Sequence, residues 1–211
     1  MRLPGWLGGR ARPALGMRWA VVDCETSGLD AARDRLLSVA GVALRGGRID
    51  PADAFAALVG QAEPSERANI LVHGIGGDAQ RAARPAAAVL GEFTAWLGDA
   101  VPVAFNAPFD AEMLRRALAR AGVAARLPRR WLDLALLAPA LAPERARQRR
   151  TLDDWLAEYG IDPGRRHDAL ADAYASAQLL QVLLARAARQ GAATDAAVLR
   201  AAGAGRWLGL S

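Results

Sequence analysis

Two carboxylates lie at the end of the apolar stretch WAVVDCET, which covers residues 19–26. Asp23 and Glu25 are two residues apart, and an extended chain points the side chains of such residues to the same side. Two anions held this close repel each other. Carboxylates that converge in this way are favourable when they share a hard divalent cation, so the pair is a candidate for metal chemistry.

Other carboxylates stand where a fold could bring them to the same place. Asp110 opens a predicted helix just after the apolar segment VPVAF, and Asp172 lies one turn into the last long predicted helix, after His167. In α/β sheets, ligands collect in the crevice beyond the carboxyl ends of the strands. We therefore expect Asp23, Glu25 and Asp110 at one edge of a sheet.

The same spacings also occur elsewhere, so each motif alone is weak. A second Asp-x-Glu pair is Asp110 and Glu112, and a second His-x4-Asp pair is His73 and Asp78. The first Asp-x-Glu is preferred because it directly follows an apolar strand, whereas Glu112 lies inside a helix and should face solvent. Asp172 is preferred because it falls on a regular helix, which can hold its side chain in a fixed direction.

The elements that must position these residues begin with strands and continue as alternating helices and strands. The sequence predicts a strand at 18–23 and a hairpin at 36–50 that turns at Gly46 and Gly47. The segment 53–59 is predicted as a third strand, although its alanines also suit a helix. A mixed sheet with helices packed on it follows from this order. The later elements are predicted at 85–98 (helix), 101–106 (strand), 108–122 (helix), 130–137 (strand into helix), 151–160 (helix) and 167–191 (helix).

The composition limits the classes of protein that the chain can belong to. The 211 residues include 27 arginines and no lysine, with a net charge of +5. Arginine binds phosphate well, but nucleotide bias in a genome explains such a composition equally well. No apolar run is long enough to span a membrane. The lone Cys24 excludes an internal disulfide and fits a reducing, cytoplasmic location, and we expect its thiol to be buried and structural.

The two ends of the chain differ in composition from the middle. Residues 1–16 are rich in Gly, Pro and Arg and are predicted to be a flexible leader. Residues 17–190 form the predicted domain. Residues 191–211, which are mostly small, are predicted to be a C-terminal tail.

Taken in order, the motifs resemble those of the DEDDh 3'-5' exonucleases, and most closely those of the DNA polymerase III epsilon (DnaQ-like) proofreading branch. The resemblance extends over residues 17–190 and includes the segments LVHGIG, AFNAPFDAEML and TLDDWLAEYGI. The motifs that carry it are Asp23-x-Glu25-Thr26, Asn106-x-x-Phe109-Asp110 and His167-x4-Asp172.

The resemblance implies a fold and a mechanism. The fold would be a ribonuclease H-like mixed five-stranded sheet with helices on both faces, whose first and fourth strands are neighbours. Asp23, Glu25, Asp110 and Asp172 would hold two Mg²⁺ or Mn²⁺ ions, with Asp23 bridging them. His167 would be the general base that takes a proton from the attacking water. The expected reaction releases nucleoside 5'-monophosphates from the 3' end of single-stranded nucleic acid, with DNA favoured.

The resemblance also implies residues that hold the substrate. Thr26 and the backbone near Gly28 and Leu29 would hold the terminal nucleotide, and Leu29 would pack on its base. Gly28 would permit a close approach of the backbone.

Other substrate-side residues have a second interpretation. Phe109 would either stack on a base or pack in the core, and Asn106 would either orient the site or cap its helix. His73 would be a substrate-side or structural histidine. Arg165 and Arg166, just before His167, are the arginines best placed to contact phosphate.

The chain departs from the branch at two positions. Phe105 stands where histidine is common, and Gly76 replaces the usual threonine after His-Gly-Ile. We find no segment that indicates a polymerase or sliding-clamp partner. An RNA or oligoribonucleotide exonuclease and a non-catalytic nucleic-acid-binding module are the alternatives.

Overall fold

A mixed five-stranded sheet in the order β3-β2-β1-β4-β5 organises the computed structural model, which describes residues 12–146 and 150–205. β2 runs antiparallel to both β1 and β3, whereas β4 runs parallel to β1 and β5. The carboxyl ends of β1, β4 and β5 therefore meet at one edge. The strands are β1 (Trp19–Thr26), β2 (Leu36–Arg45), β3 (Arg48–Leu58), β4 (Val101–Ala104) and β5 (Leu132–Asp133).

The first strand is longer than predicted and includes both of its carboxylates. Pairing with the long apolar strand β2 continues past Val22, so that Asp23 lies opposite Ala40 and Glu25 lies opposite Ser38. Trp19 and Val21 face one core, and Ala20 and Val22 face the other. By this alternation Asp23 and Glu25 are on the side of Trp19 and Val21, which confirms that they share a face.

Helices cover both faces of the sheet, as predicted. The core that contains Trp19 is closed by α5 (Leu134–Leu141), α6 (Leu152–Glu158), α7 (Ala169–Arg189) and α8 (Asp195–Gly205). The opposite core is closed by α3 (Ala86–Leu97) and α4 (Ala107–Arg120). Two short helices, α1 (Arg67–His73) and α2 (Gly77–Ala82), connect β3 to α3. None of the helices in the described ranges could span a bilayer.

The two ends of the described chain pack against each other. Pro13 forms a β-bridge with Thr194, and the Asp195 amide donates to the Arg12 carbonyl at 3.0 Å. Ala14 is buried, and its carbonyl accepts from the Trp19 indole at 2.7 Å. Residues 12–16 thus contact the domain, while residues 1–11 of the predicted leader and 206–211 lie outside the described part.

The segment after residue 190 differs from the predicted tail because it contains α8. Val198 and Ala202, four residues apart, are buried in the core that α5 and α7 share. The long run of small residues conceals this helical spacing, because alanine and glycine produce no clear apolar stripe. The boundaries predicted at 17 and 190 stay predictions.

Candidate active site

Three carboxylates converge at the carboxyl end of β1. Asp23, Glu25 and Asp172 each offer an oxygen, and these oxygens all lie within 4.8 Å of one another. Asp23 and Glu25 come from β1, and the buried Asp172 comes from the first turn of α7, which packs on the same face of the sheet. Ionised carboxylates are acceptors only, so they cannot hydrogen-bond to one another.

The electrostatics of the cluster show the cost of this convergence. Burial, followed by the charges of Asp110, Asp172 and Glu25, raises the pKa of Asp23 well above its usual value. Burial and the charge of Asp172 raise the pKa of Glu25 to about 7. A divalent cation would offset the repulsion, and an all-oxygen donor set fits Mg²⁺ or Mn²⁺. The residues present therefore fit the expected metal.

Asp110 lies beside this cluster but not within the group of three. It is buried in the first turn of α4, and its charge is the largest neighbouring cause of the raised pKa of Asp23. Its own pKa is raised to about 7, chiefly by burial, and a hydrogen bond with the Cys24 thiol opposes that rise. Cys24 is partly buried against the α3–α4 core, as predicted, but its bond to Asp110 is a contact that sequence reasoning missed.

Two predicted site residues have an unusual backbone conformation. Within the described ranges, Asn106 (φ 66°) and His167 (φ 60°) are the non-glycine residues with positive φ. The Asn106 amide donates to Asp133 Oδ1 and the His167 amide donates to Asp172 Oδ2, each at 3.0 Å. Each residue shortly precedes the helix that carries a site aspartate. Such conformations are costly and cluster at functional sites.

The side chains of these two residues have different surroundings. The Asn106 side chain makes no capping hydrogen bond to α4, so the expected capping role is not observed. His167 is exposed, and its charge contributes to lowering the pKa of His73, after burial. The two histidines are therefore near each other at the cluster's edge.

Arg166 contacts the carboxylates directly. Its guanidinium forms ion pairs with Asp172 and, at 2.6 Å, with Asp153 at the start of α6. Its charge lowers the pKa values of Asp23 and Glu25, against the other causes. In these contacts it is a partial counter-charge for the cluster, and the phosphate contact expected of it stays a prediction.

The loop after β1 shows why Gly28 is needed. The Thr26 hydroxyl donates to the Gly28 carbonyl at 2.6 Å, and a Cβ on Gly28 would meet Asp34 Oδ2 at 2.5 Å. Asp34 also accepts from the Asp30 amide at 2.8 Å, which holds the loop closed. The close approach that Gly28 permits is thus that of Asp34. Leu29, at the tip, is 90% exposed.

The remaining predicted residues, His73 and Phe109, make contacts within the fold. His73 is buried, its Nδ1 accepts from the Ile75 amide at 2.9 Å, and its Nε2 is 3.4 Å from Ser65 Oγ. Phe109 is partly buried and packs against the α3–α4 core. These contacts favour the structural interpretation of His73 and the core interpretation of Phe109.

This sheet, with carboxylates gathered at the end of its central strand, has the ribonuclease H-like architecture of solved exonuclease structures. The chain belongs to the RNase_T family, described as "Exonuclease", whose model matches residues 20–180. The predicted family resemblance is thereby confirmed.

Curated relatives are much longer than this chain. A DNA polymerase III subunit epsilon-like protein of Rhodobacter capsulatus is 35% identical over 187 residues, which cover 87% of this chain and 26% of that protein. The PolC-type DNA polymerase III of Bacillus subtilis is 31% identical over 173 residues, which cover 82% of this chain and 12% of the polymerase. The chain therefore spans about a quarter or less of these relatives.

Solved structures show the same fold. E. coli exonuclease I in complex with a dT13 oligonucleotide aligns with a TM-score of 0.69 at 21% identity, over 82% of this chain and 42% of the other. Exonuclease X in complex with 5' overhanging duplex DNA aligns with a TM-score of 0.64 at 22% identity, over 81% and 93%. The predicted ribonuclease H-like fold is confirmed.

Proposed function

We propose that this protein is a divalent-metal-dependent 3'-5' exonuclease that releases nucleoside 5'-monophosphates from single-stranded nucleic acid, with DNA as the favoured substrate. The observation that carries the proposal is the convergence of Asp23, Glu25 and Asp172 within 4.8 Å, with Asp110 beside Asp23. Membership of the exonuclease family supports the same conclusion.

The four acidic residues would hold two Mg²⁺ or Mn²⁺ ions. Asp23, Glu25 and Asp172 would hold one ion, and Asp23 with Asp110 would hold the second. When bound, such ions polarise the phosphodiester and increase the acidity of the attacking water. The carboxylates' part is to keep oxygen ligands in place on β1, α4 and α7.

His167 would accept the proton from the attacking water. Histidine suits this role because its ordinary pKa lies near neutral pH. Its amide is bonded to Asp172, so its position is tied to a proposed metal ligand, and its ring is exposed beside the cluster. Asn106 occupies the matching position before α4 and would orient that side of the site.

The exposed Leu29 would pack on the terminal base, and the loop around Thr26 and Gly28 would hold the sugar of the same nucleotide.

DNA is favoured because the relatives are named as DNA polymerase III proteins and the structural neighbours contain DNA. We also propose a cytoplasmic location. The proposal includes no polymerase partner.

The test uses 5'-labelled DNA and RNA oligomers of the same sequence, incubated with Mg²⁺, Mn²⁺ or EDTA. We expect a ladder that shortens from the 3' end, requires the metal and is faster on DNA. Asp23→Asn should abolish it. Glu112→Gln is the matched control because it alters the second Asp-x-Glu pair, whose glutamate pairs with Arg115 and Arg116. A folded protein that shortens neither oligomer with either metal would contradict the proposal, and faster RNA cleavage would favour the RNA alternative.

A further inference from the structure

An open cleft of about 740 Å³ lies beside the candidate active site. It is bounded by the start of α4, the residues just before β5, and α8. Pro108 and Ala111 line it, and the buried Asp110 belongs to the same helical turn. Asp133, which also lines the cleft, accepts from the amide of Asn106 just before α4, so the cleft reaches the end of this helix that belongs to the site.

The arginines of this cleft have no partner among the residues that the structure describes. Arg129, Arg130 and Arg200 are exposed, and none forms an ion pair or side-chain hydrogen bond within residues 12–146 and 150–205. By contrast, Arg115 on the same face of α4 pairs with Glu112. The acidic residue in the lining, Asp133, is nearly buried and accepts from the amides of Asn106 and Ala135. Among the described residues that line it, the cleft has three arginines and one carboxylate, and therefore a net positive charge.

An aromatic residue lies among these charges. Trp131 lines this cleft and also a neighbouring one of about 570 Å³, whose lining adds Arg126. Trp131 is partly buried, and its indole donates to the Pro128 carbonyl at 3.2 Å, which fixes the ring. Arginines interleaved with an aromatic ring are typical of surfaces that bind single strands, through phosphate charge and base stacking.

We infer that this basic cleft binds the phosphodiester backbone of the substrate strand, on the 5' side of the nucleotide in the active site. The inference rests on the proposed function and extends it from the terminal nucleotide to the rest of the strand. Arg200 lies on α8, outside residues 20–180 that the family model matches. An acidic protein segment is the other ligand that the charge would accept.

The experiment compares two double variants that remove the same charge. Arg129→Gln/Arg130→Gln alters the cleft. Arg48→Gln/Arg189→Gln is the control, because Arg48 begins β3 at the opposite edge of the sheet and Arg189 ends α7, far from its site end. Fluorescence anisotropy in EDTA measures the binding of labelled dT12 and dT3 at several salt concentrations. Thermal melting checks that both variants fold.

The cleft variant should bind dT12 roughly tenfold more weakly at low salt, and the slope of log affinity against log salt should fall by about 1.4, since each phosphate contact contributes about 0.7. Binding of dT3, which offers little strand beyond the terminal nucleotide, should change less than about twofold, as should dT12 binding by the control variant. Equal weakening of dT12 binding in both variants, or no weakening in either, overturns the inference.

Two further measurements separate the possible failures. Metal-dependent shortening of dT3 by the unmodified protein tests the proposed nuclease activity independently of strand binding in the cleft. If dT3 is not shortened while the cleft variant still loses dT12 affinity, the nuclease proposal fails and the cleft remains. If a polyglutamate peptide binds the unmodified protein but not the cleft variant, and dT12 affinity is unchanged, the cleft binds an acidic protein segment.

Discussion

Two buried polar clusters near the active-site edge are built in different ways. One joins Ser65, His73 and Gln80 through donors that face acceptors. The Gln80 side-chain carbonyl accepts from the Ser65 amide at 2.8 Å, and the Gln80 amide donates to Ser65 Oγ and to the Ile75 carbonyl, each at 2.9 Å. His73 completes it by accepting from Ile75. This cluster is satisfied without any ligand.

The other cluster is made of acceptors. Asp23, Glu25 and Asp172 point carboxylates at one another, and the pKa of each is raised, with burial as the largest cause. Arg166 offsets only part of this repulsion. The difference teaches that polar burial can either stabilise a fold or prepare a binding site: the first cluster holds α1 and α2 in place, and the second needs a cation.

The largest expected effect comes from removing a charge from the second cluster. Asp23→Asn should lower the hydrolysis rate by at least about 10³-fold, since the loss of metal binding costs several kcal/mol of transition-state stabilisation. The same change should raise the melting temperature in EDTA, because it relieves repulsion. Single-turnover assays and thermal melting measure both. A lower melting temperature would show that the cluster does not repel itself.

Metal binding at this cluster should stabilise the folded protein, by an amount that grows with the logarithm of the metal concentration above the dissociation constant. Mg²⁺ at about 100 times its dissociation constant should add about 2.7 kcal/mol, which for a domain of this size corresponds to roughly 5–10 °C in melting temperature. Melting curves with Mg²⁺ and with EDTA measure the shift. Asp23→Asn should lose most of it and Glu112→Gln should keep it. An equal shift in both variants would place the metal elsewhere.

Breaking the hydrogen-bonded cluster of Ser65, His73 and Gln80 should lower the stability of the fold rather than the rate of the reaction. Gln80→Ala leaves the buried Ser65 amide without its partner, which should lower the free energy of unfolding by about 1–3 kcal/mol. Urea denaturation measures this loss. Gln190→Ala, which removes a hydrogen bond of an exposed glutamine to the Leu141 carbonyl, should cost less and is the control. Loss of activity at temperatures where the variant stays folded would give this cluster a direct role in the reaction.

The smallest expected effect is a pH dependence of the metal-free protein. The pKa of Glu25 is about 7 in the folded state, above its ordinary value of 4.5. The folded state therefore holds a proton that the unfolded state has released, so stability is highest below about pH 4.5 and falls as pH rises through 7. Because solvent screens this partly exposed group, we expect a contribution of only about 1 kcal/mol.

The matching variant for this effect is Glu25→Gln. In EDTA, the difference in melting temperature between it and the unmodified protein should grow between pH 4.5 and pH 8. Part of the pH dependence should remain in the variant, because the pKa of Asp110 is also raised to about 7. A constant difference across this range would argue against repulsion at Glu25.

The sequence by itself determined the local arrangement of the site. The two-residue period of a strand places Asp23 and Glu25 on one face, and the helical segment after His167 carries Asp172. The alternation of elements also predicted a mixed sheet with helices packed on it, whereas the helices on both faces followed from the family resemblance. These features could be predicted because each depends on spacing within one short segment.

Only the tertiary structure decided which distant side chains meet. Arg166 pairs with Asp172 and Asp153, and a Cβ on Gly28 would lie 2.5 Å from the Asp34 carboxylate. Val198 lies in a run of small residues, and its burial depends on surfaces of α5 and α7 that form only on folding. Local periodicity depends on the residues of one segment, whereas charge pairing and the close approach of two residues depend on how separate segments pack.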